Sequence, residues 1–438
     1  MSEMKKKDES RKQTEIGRIP ESWEMVRLGE VATFTKKPRN LIYSKYNEVP
    51  FVPMELIPIA KLFSKKFIPK TNDELKSGTY FETGDILLSK ITPSFENGKQ
   101  CIIKELPTPF GIATTEIIPI QAVVDVSDKF YLFYYLLLPN VRAMLAGRMQ
   151  GTTGRQRLSK EILANLEIPL PPLPEQHAIA HVLQTIQEAK FVRQREIALE
   201  RERKAALMDY LFSHGTKGEP RRQTEIGEIP ESWKVVKLGD KVELKNGINF
   251  KKEQKGQGIL TVDVLNMYSD GIYLNTDNLY RVDYKIRDRD LLKTKDILFV
   301  RSSLKQEGVA WASLFNEHEE PVTFCGFLIR ARLTTLEIDP EFLTNYFRTS
   351  FARKLLVSKS ARLAITNISQ ATLSSCPIVL PSFFEQREIA EILQVFDKKI
   401  ATLEQEAAHI DELFHTMIDE LMTGQRSAVP LLESGVIQ

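Results

Sequence analysis

Apolar side chains recur between residues 396 and 421 at alternating spacings of four and three: Phe396, Ile400, Leu403, Ala407, Ile410, Phe414, Met417 and Leu421. Such a heptad seam predicts one long helix whose stripe must be covered by another helix. Burying its large side chains is worth on the order of 10 kcal/mol gross, too much to leave in water. Shifting by 210 positions predicts a first long helix as well, but the matching stripe is half charged: Ile186, Lys190, Arg193, Ile197, Glu200, Lys204, Leu207 and Leu211. Which stripe of the first helix meets the second stays open at this level. Ahead of each helix the pattern changes. Short β-rich runs such as "GDILLSK" (84–90) and "KDILFVRSS" (295–303) are punctuated by Gly, Pro and Asn. Helical stretches such as "KFYLFYYLLL" (129–138) and "EFLTNYFRTSFARKLL" (341–356) lie between them, which reads as a mixed α and β domain. The proline clusters "EIPLPPLPEQ" (167–176) and "PIVLPSFFEQ" (377–386) stop any helix before them and separate each domain from the helix that follows.

The order is written twice because the chain is a duplication. "QTEIGRIPESW" (Gln13 to Trp23) returns as "QTEIGEIPESW" (Gln223 to Trp233), and Glu175-Gln176 returns as Glu385-Gln386 at the same offset of 210. That period is far above the 20 to 50 residues of solenoid repeats. The expected fold class is α+β with a pseudo-two-fold internal repeat: a mixed α/β domain over 1–173, a helical spacer over 174–220, a second mixed α/β domain over 221–383, and a helical spacer and tail over 384–438. Trp23 and Trp233, identical in two domains that otherwise hardly match, read as docking anchors of the repeat.

Composition narrows the setting. No apolar run approaches the eighteen or so residues of a membrane span, and the opening "MSEMKKKDESRK" lacks a signal peptide's apolar segment. The three cysteines, Cys101, Cys325 and Cys376, are odd in number and far apart, so neither a disulfide framework nor a zinc ribbon is expected and a reducing cytoplasm fits. The net charge of +2 divides unevenly: +5 over 1–173, 0 over 174–220, +4 over 221–383 and −7 over 384–438. A polyanion would meet the two basic domains, and the acidic last helix would face protein or solvent. Ordinary surface scatter explains so small an excess equally well.

Motifs for catalysis are missing. There is no Gly-rich phosphate loop and no Asn-Pro-Pro-Tyr or Asp-Pro-Pro-Tyr to hold a flipped base for amino methylation. Acid-x-Lys pairs, Glu74 with Lys76 and Glu243 with Lys245, occur at the rate chance expects among 58 acids and 60 bases. His177 and His181 stand one helical turn apart without a third ligand nearby, so an exposed helix face is the plainer reading and no metal is expected.

"IGxIPxSW…V…LG" opening each half, "GDILLS" within, and "LPxxEQ" leading into a long helix twice over resemble the specificity subunits of type I restriction-modification enzymes. The resemblance spans Gln13 to about Gly424. It implies two target-recognition domains, each reading one half of a bipartite double-stranded DNA sequence, with the two helices in antiparallel contact measuring the spacer. It implies two modification (methyltransferase) subunits bringing S-adenosylmethionine, and restriction subunits with ATP- and magnesium-dependent translocation, with no cofactor on this chain itself. A self-contained DNA methyltransferase or nicking enzyme is the alternative.

Base readout needs Arg, Lys, Asn or Gln at base edges, with other basic and hydroxyl groups on phosphates. In the first domain the loops richest in these supply Lys36, Lys37, Arg39, Asn40, Lys90, Asn97, Lys99, Arg148, Arg155 and Arg157. In the second they supply Asn246, Asn249, Lys251, Lys252, Arg301, Ser302, Lys305, Arg362 and Asn367. The loops as groups are the expectation, rather than any single residue.

Overall fold

The computed structural model describes residues 10–14, 17–42, 45–75, 77–152, 154–269, 271–303, 308–358, 361–362 and 366–433. The chain divides into two compact units at Val192/Arg193 and again at Glu406/Ala407, so the first unit takes both ends of the chain and the second takes its middle.

In the first unit a five-stranded sheet runs in the order Ala32–Phe34, Ile117–Ala122, Ile86–Ser89, Gln100–Ile103, Phe63–Ser64. A four-stranded sheet follows the order Ile68–Lys70, Val49–Val52, Phe110–Ala113, Thr79–Glu82. Ile86–Ser89 is buried at every position, which is why "ILLS" reads as an unbroken apolar run rather than an alternation. The second unit repeats the plan with Val242–Asn246, Leu328–Leu333, Ile297–Val300 and Ala312–Leu314 in one sheet. Its other sheet runs Tyr280–Val282, Lys255–Val262, Val322–Phe324. Register repeats as well: Ile86 lies opposite Ile120, and Ile297 opposite Ala331.

Two long helices, Leu173–His214 and Phe383–Met422, start directly after the proline clusters. The Glu-Gln pair in each first turn explains the motif. The Gln176 amide donates to Pro171 O at 2.8 Å and its oxygen accepts from Asp128 N at 2.8 Å. Gln386 does the same with Pro381 O at 3.0 Å and Asp339 N at 2.8 Å. Both glutamines are fully buried, and each ties a helix start to the loop before a domain helix. Glu175, beside Gln176, accepts from Trp23 Nε1 at 3.0 Å.

Each core is closed by a helix end from the other half of the sequence. Phe414, Ile418, Leu421 and Met422 join the core built from Trp23, Leu28, Ile86 and Tyr134. Leu211 and Phe212 join the core built from Trp233, Leu238, Ile297 and Tyr346. Both helices end on a left-handed glycine, Gly215 at φ 66° and Gly424 at φ 67°, a conformation glycine adopts without steric cost. A Cβ on Gly424 would stand 2.4 Å from Pro20 Cδ, and one on Gly215 3.2 Å from Trp233. The phrase "IPESW" is thus the socket for a helix end, once per unit.

The charged half-stripe of the first helix also finds its role. Within the first unit Lys190 pairs with Asp411. Within the second, Arg193 pairs with Glu406, Glu200 with Lys399, Arg201 with Glu404, and Lys204 with Asp397. Within the second unit the partners run from Glu406 back to Asp397 as the first helix advances from Arg193 to Lys204, so the two helix segments run antiparallel there. Of the seam residues, Ile400, Leu403, Phe414 and Leu421 are buried, and Phe396, Ala407, Ile410 and Met417 are half-buried. The acids of the last helix therefore face bases of the first. Among the described residues no helix is long and apolar enough to cross a membrane.

Two outcomes follow from this packing. Gly424→Ala, strained in φ and pressed on Pro20, is expected to cost about 1–3 kcal/mol; calorimetric unfolding at wild-type temperature would remove the socket from the argument. A double-mutant cycle on Lys204→Met and Asp397→Leu, whose side chains are only 12% and 19% exposed, is expected to give a coupling of roughly 1 kcal/mol or more. Additive effects in urea unfolding would mean that the pair is solvated and contributes nothing.

Candidate nucleic-acid interface

In the second unit, the buried strand Ile297–Val300 delivers Arg301 to its end. Arg301 is fixed at both backbone groups: its N donates to Phe327 O at 2.7 Å and its O accepts from Ile368 N at 2.9 Å. Ser302 then pairs with Asn367 in a short antiparallel ladder, and the Ser302 hydroxyl donates to the Asn367 side chain. Ser369 caps the helix Gln370–Ser374, accepting from Thr372 N at 3.0 Å. Asn246, Arg301, Asn367, Ser369, Gln370 and Thr372 line an open cavity of about 530 Å³. Three of the residues expected to touch DNA, Asn246, Arg301 and Asn367, thus come from segments 55 to 66 positions apart and meet at one polar hollow.

The first unit assembles a more basic rim. The buried strand Ile86–Ser89 ends at Lys90, whose O accepts from Leu158 N at 2.8 Å. Ser159 caps the helix Lys160–Ala164, accepting from Ile162 N at 3.1 Å. The Lys160 ammonium lies 5.6 Å from the centre of the Phe34 ring. Partial burial, and then the charges of Lys90 and Lys36, push the Lys160 ammonium below the usual lysine range. Lys36 and Lys90 thus lie near enough for their charges to bear on Lys160, an arrangement that favours an anion. Arg157 is held by Glu116 through Nε at 2.9 Å and Nη2 at 2.8 Å, and this guanidinium holds the Glu116 carboxyl below its ordinary value.

The other expected residues are dispersed. Lys37, Arg39 and Asn40 follow Lys36 along an exposed turn, and Asn97, Arg148 and Arg155 are exposed on separate loops. Lys99 is turned inward, its Nζ donating to Met54 O at 2.8 Å. Asn249, Lys251 and Lys252 are exposed beyond the Val242–Asn246 strand. Arg362 pairs with Thr366 in a two-residue strand, and Lys305 lies outside the described residues. Composition had not singled out Lys160 or Gln370. Their signal was positional: each follows a cap serine at the repeat offset of 210, in "LSK" and "ISQ".

Among the described residues no constellation resembles a reaction centre, and Lys76 of the pair with Glu74 lies outside them. Lys245 pairs with Asp290, and Glu243 accepts from buried Arg330 at 3.2 Å, so that acid-x-Lys pair serves internal contacts. His177 lies 3.7 Å from Asp128. Among the described residues there is no group of three or more His, Cys, Asp or Glu able to hold a metal ion, and the three cysteines are free and buried.

The family model described as type I restriction modification DNA specificity domain matches the chain twice, over residues 20–201 and 230–412. The chain belongs to this family. It is a noncatalytic DNA specificity subunit with two target-recognition domains, and such subunits work in assembly with the other subunits of their system, where cofactors generally reside. It is 26% identical over 431 residues to the type I restriction enzyme MjaVIII specificity subunit of Methanocaldococcus jannaschii, covering 96% of each chain. The EcoKI specificity subunit of Escherichia coli is 22% identical over 439 residues, covering 94% of this chain and 91% of that one. Among solved structures, a chain of a type I restriction-modification system aligns with TM-score 0.61 at 18% identity, over 93% of this chain and 99% of that one. The S subunit from M. genitalium aligns with TM-score 0.52 at 15% identity, over 91% and 96%. Those structures share the fold of the specificity subunit described here.

Proposed function

We propose that each target-recognition domain of this specificity subunit reads one half of a bipartite, asymmetric DNA sequence. The observation that carries this reading is that one backbone frame occurs twice with different polar side chains at its rim: Lys36, Lys90 and Lys160 in one unit, and Asn246, Arg301 and Gln370 in the other. A homodimer would read the same half-site twice. A duplicated chain can keep the two-fold frame and read two different half-sites.

In this reading the long helices set the spacer and present a surface to two modification subunits. Exposed apolar side chains on them, Val192 and Leu199 on the first and Val395 and Leu413 on the second, support a protein partner there. S-adenosylmethionine binds the modification subunits, and ATP and magnesium serve the restriction subunits; the assembly acts on double-stranded DNA in the cytoplasm. Helices of 42 and 40 residues rise about 60 Å each, which at ~3.4 Å per base pair bounds the distance between half-site centres at roughly 18 base pairs. About one turn of duplex suits two domains approaching from related sides.

Mapping N6-methyladenine across the genome of cells that carry this chain and its partners tests the reading. The expected result is one gapped sequence with two unlike halves. A palindromic target, or half-sites more than two helical turns apart, overturns it.

A further inference from the structure

Matching backbone hydrogen bonds place the two rims in register. Lys90 N donates to Glu116 O at 2.9 Å, as Arg301 N donates to Phe327 O. Leu158 N donates to Lys90 O, as Ile368 N donates to Arg301 O. The cap serines Ser159 and Ser369 then start the same short helix. Phe34 lies opposite Ile120 where Leu244 lies opposite Ala331, so two residues further on Lys36 holds the place of Asn246. Five positions coincide: Lys36 with Asn246, Lys90 with Arg301, Glu116 with Phe327, Arg157 with Asn367, and Lys160 with Gln370.

None of the five keeps its residue between the copies. Much of the frame beneath them also changes, but apolar replaces apolar, as in Phe34 and Leu244 or Leu158 and Ile368, and its tightest contacts are identical. Leu28-Gly29 recurs as Leu238-Gly239, and Leu163 recurs as Leu373. A Cβ on Gly29 would stand 3.1 Å from Ala164 Cβ, and one on Gly239 2.9 Å from Ser374 Cβ, so glycine is what lets the short helix seat against the strand start in both units. Packing explains the constant residues. It gives no reason for the five variable ones: in the second unit Asn246, Arg301, Asn367 and Gln370 line the hollow, and Phe327, whose O holds Arg301 N, is exposed.

We infer, resting on the DNA-reading role proposed above, that these five registered positions are the specificity-determining side chains of the two domains. Their chemistry assigns the bases. Lys36, Lys90 and Lys160 are donors only, matching the two major-groove acceptors of guanine, so the first domain's site takes guanine. Asn246 and Gln370 each offer a donor and an acceptor, the pattern that pairs with adenine N7 and N6, so the second domain's site takes adenine. Beside them Arg301 suits an adjoining guanine, and Phe327, 57% exposed, suits a thymine methyl. The side chains at the fourth position are each held by a neighbour, Arg157 by Glu116 and Asn367 by Ser302, which fixes their direction before DNA arrives.

The test is selection of bound duplexes from a random library by the complex purified through this chain, comparing wild type, Lys160→Gln and Gln370→Lys. Lys160 is exposed and Gln370 half-exposed, so unchanged thermal melting is the control for folding. Lys160→Gln is expected to lower the preference for guanine at one position of one half-site by about tenfold, leaving the other half-site intact. Gln370→Lys is expected to move one adenine of the other half-site toward guanine. A uniform loss of affinity with a shallower salt dependence would make these residues phosphate contacts and overturn the inference. An unchanged motif, or changes in both halves, would overturn it too while leaving the bipartite reading standing. A wild-type complex that selects no motif would remove that reading and the inference with it.

Discussion

The contact on which the rest depends is a helix end seated on a tryptophan. Trp23 is fully buried under Gly424, and Trp233 under Gly215, and in each case the helix belongs to the other half of the sequence. Each helix end therefore completes a core that its own half of the sequence does not build, which ties the stability of each unit to residues from both halves. The glycine makes this contact close enough: its missing Cβ allows the chain to turn left-handed at van der Waals distance from the socket.

A second constraint sits on the helix faces. An apolar seam alone would let the last helix pair with a copy of itself. The bases Lys190, Arg193, Arg201 and Lys204 answer the acids Asp411, Glu406, Glu404 and Asp397, so the two helices complement one another where two copies of either would set like charges together. The flat charge of the whole chain hides this. A basic stripe and an acidic helix cancel in the sum while deciding the partner.

Much of this was legible in the residues. The repeat, the proline-to-helix boundary and the seam are local patterns, and the buried glutamines show why "EQ" follows the prolines. The charged stripe was not legible, because its partners lie about 200 positions away and flank the seam of the other helix. The rim was legible only in part. Lys99 stood in a basic loop yet turns inward to Met54, whereas Lys160 looked like the ordinary start of a helix. A hydrogen bond between Leu158 and Lys90 brings that helix to the rim, and no periodicity announces a contact spanning 68 positions.

Duplication gives these facts a common physical sense. Residues at the tightest contacts, Trp23 and Trp233, Gly29 and Gly239, Gln176 and Gln386, are held by many neighbours at once and are the same in both copies, while the cores refill with other apolar residues, as Met422 and Phe212 show. Side chains at the mouth of a hollow are held by few neighbours and change at little cost to stability. One chain can therefore carry two frames that stay alike and two rims that drift apart. Socket and rim are separate in each unit: Trp23 and Trp233 lie in the cores, and Lys160 and Gln370 stand at the end of a buried strand, on a short helix. Changing what the rim meets leaves the socket untouched, and that independence lets a frame built for stability present two different chemistries.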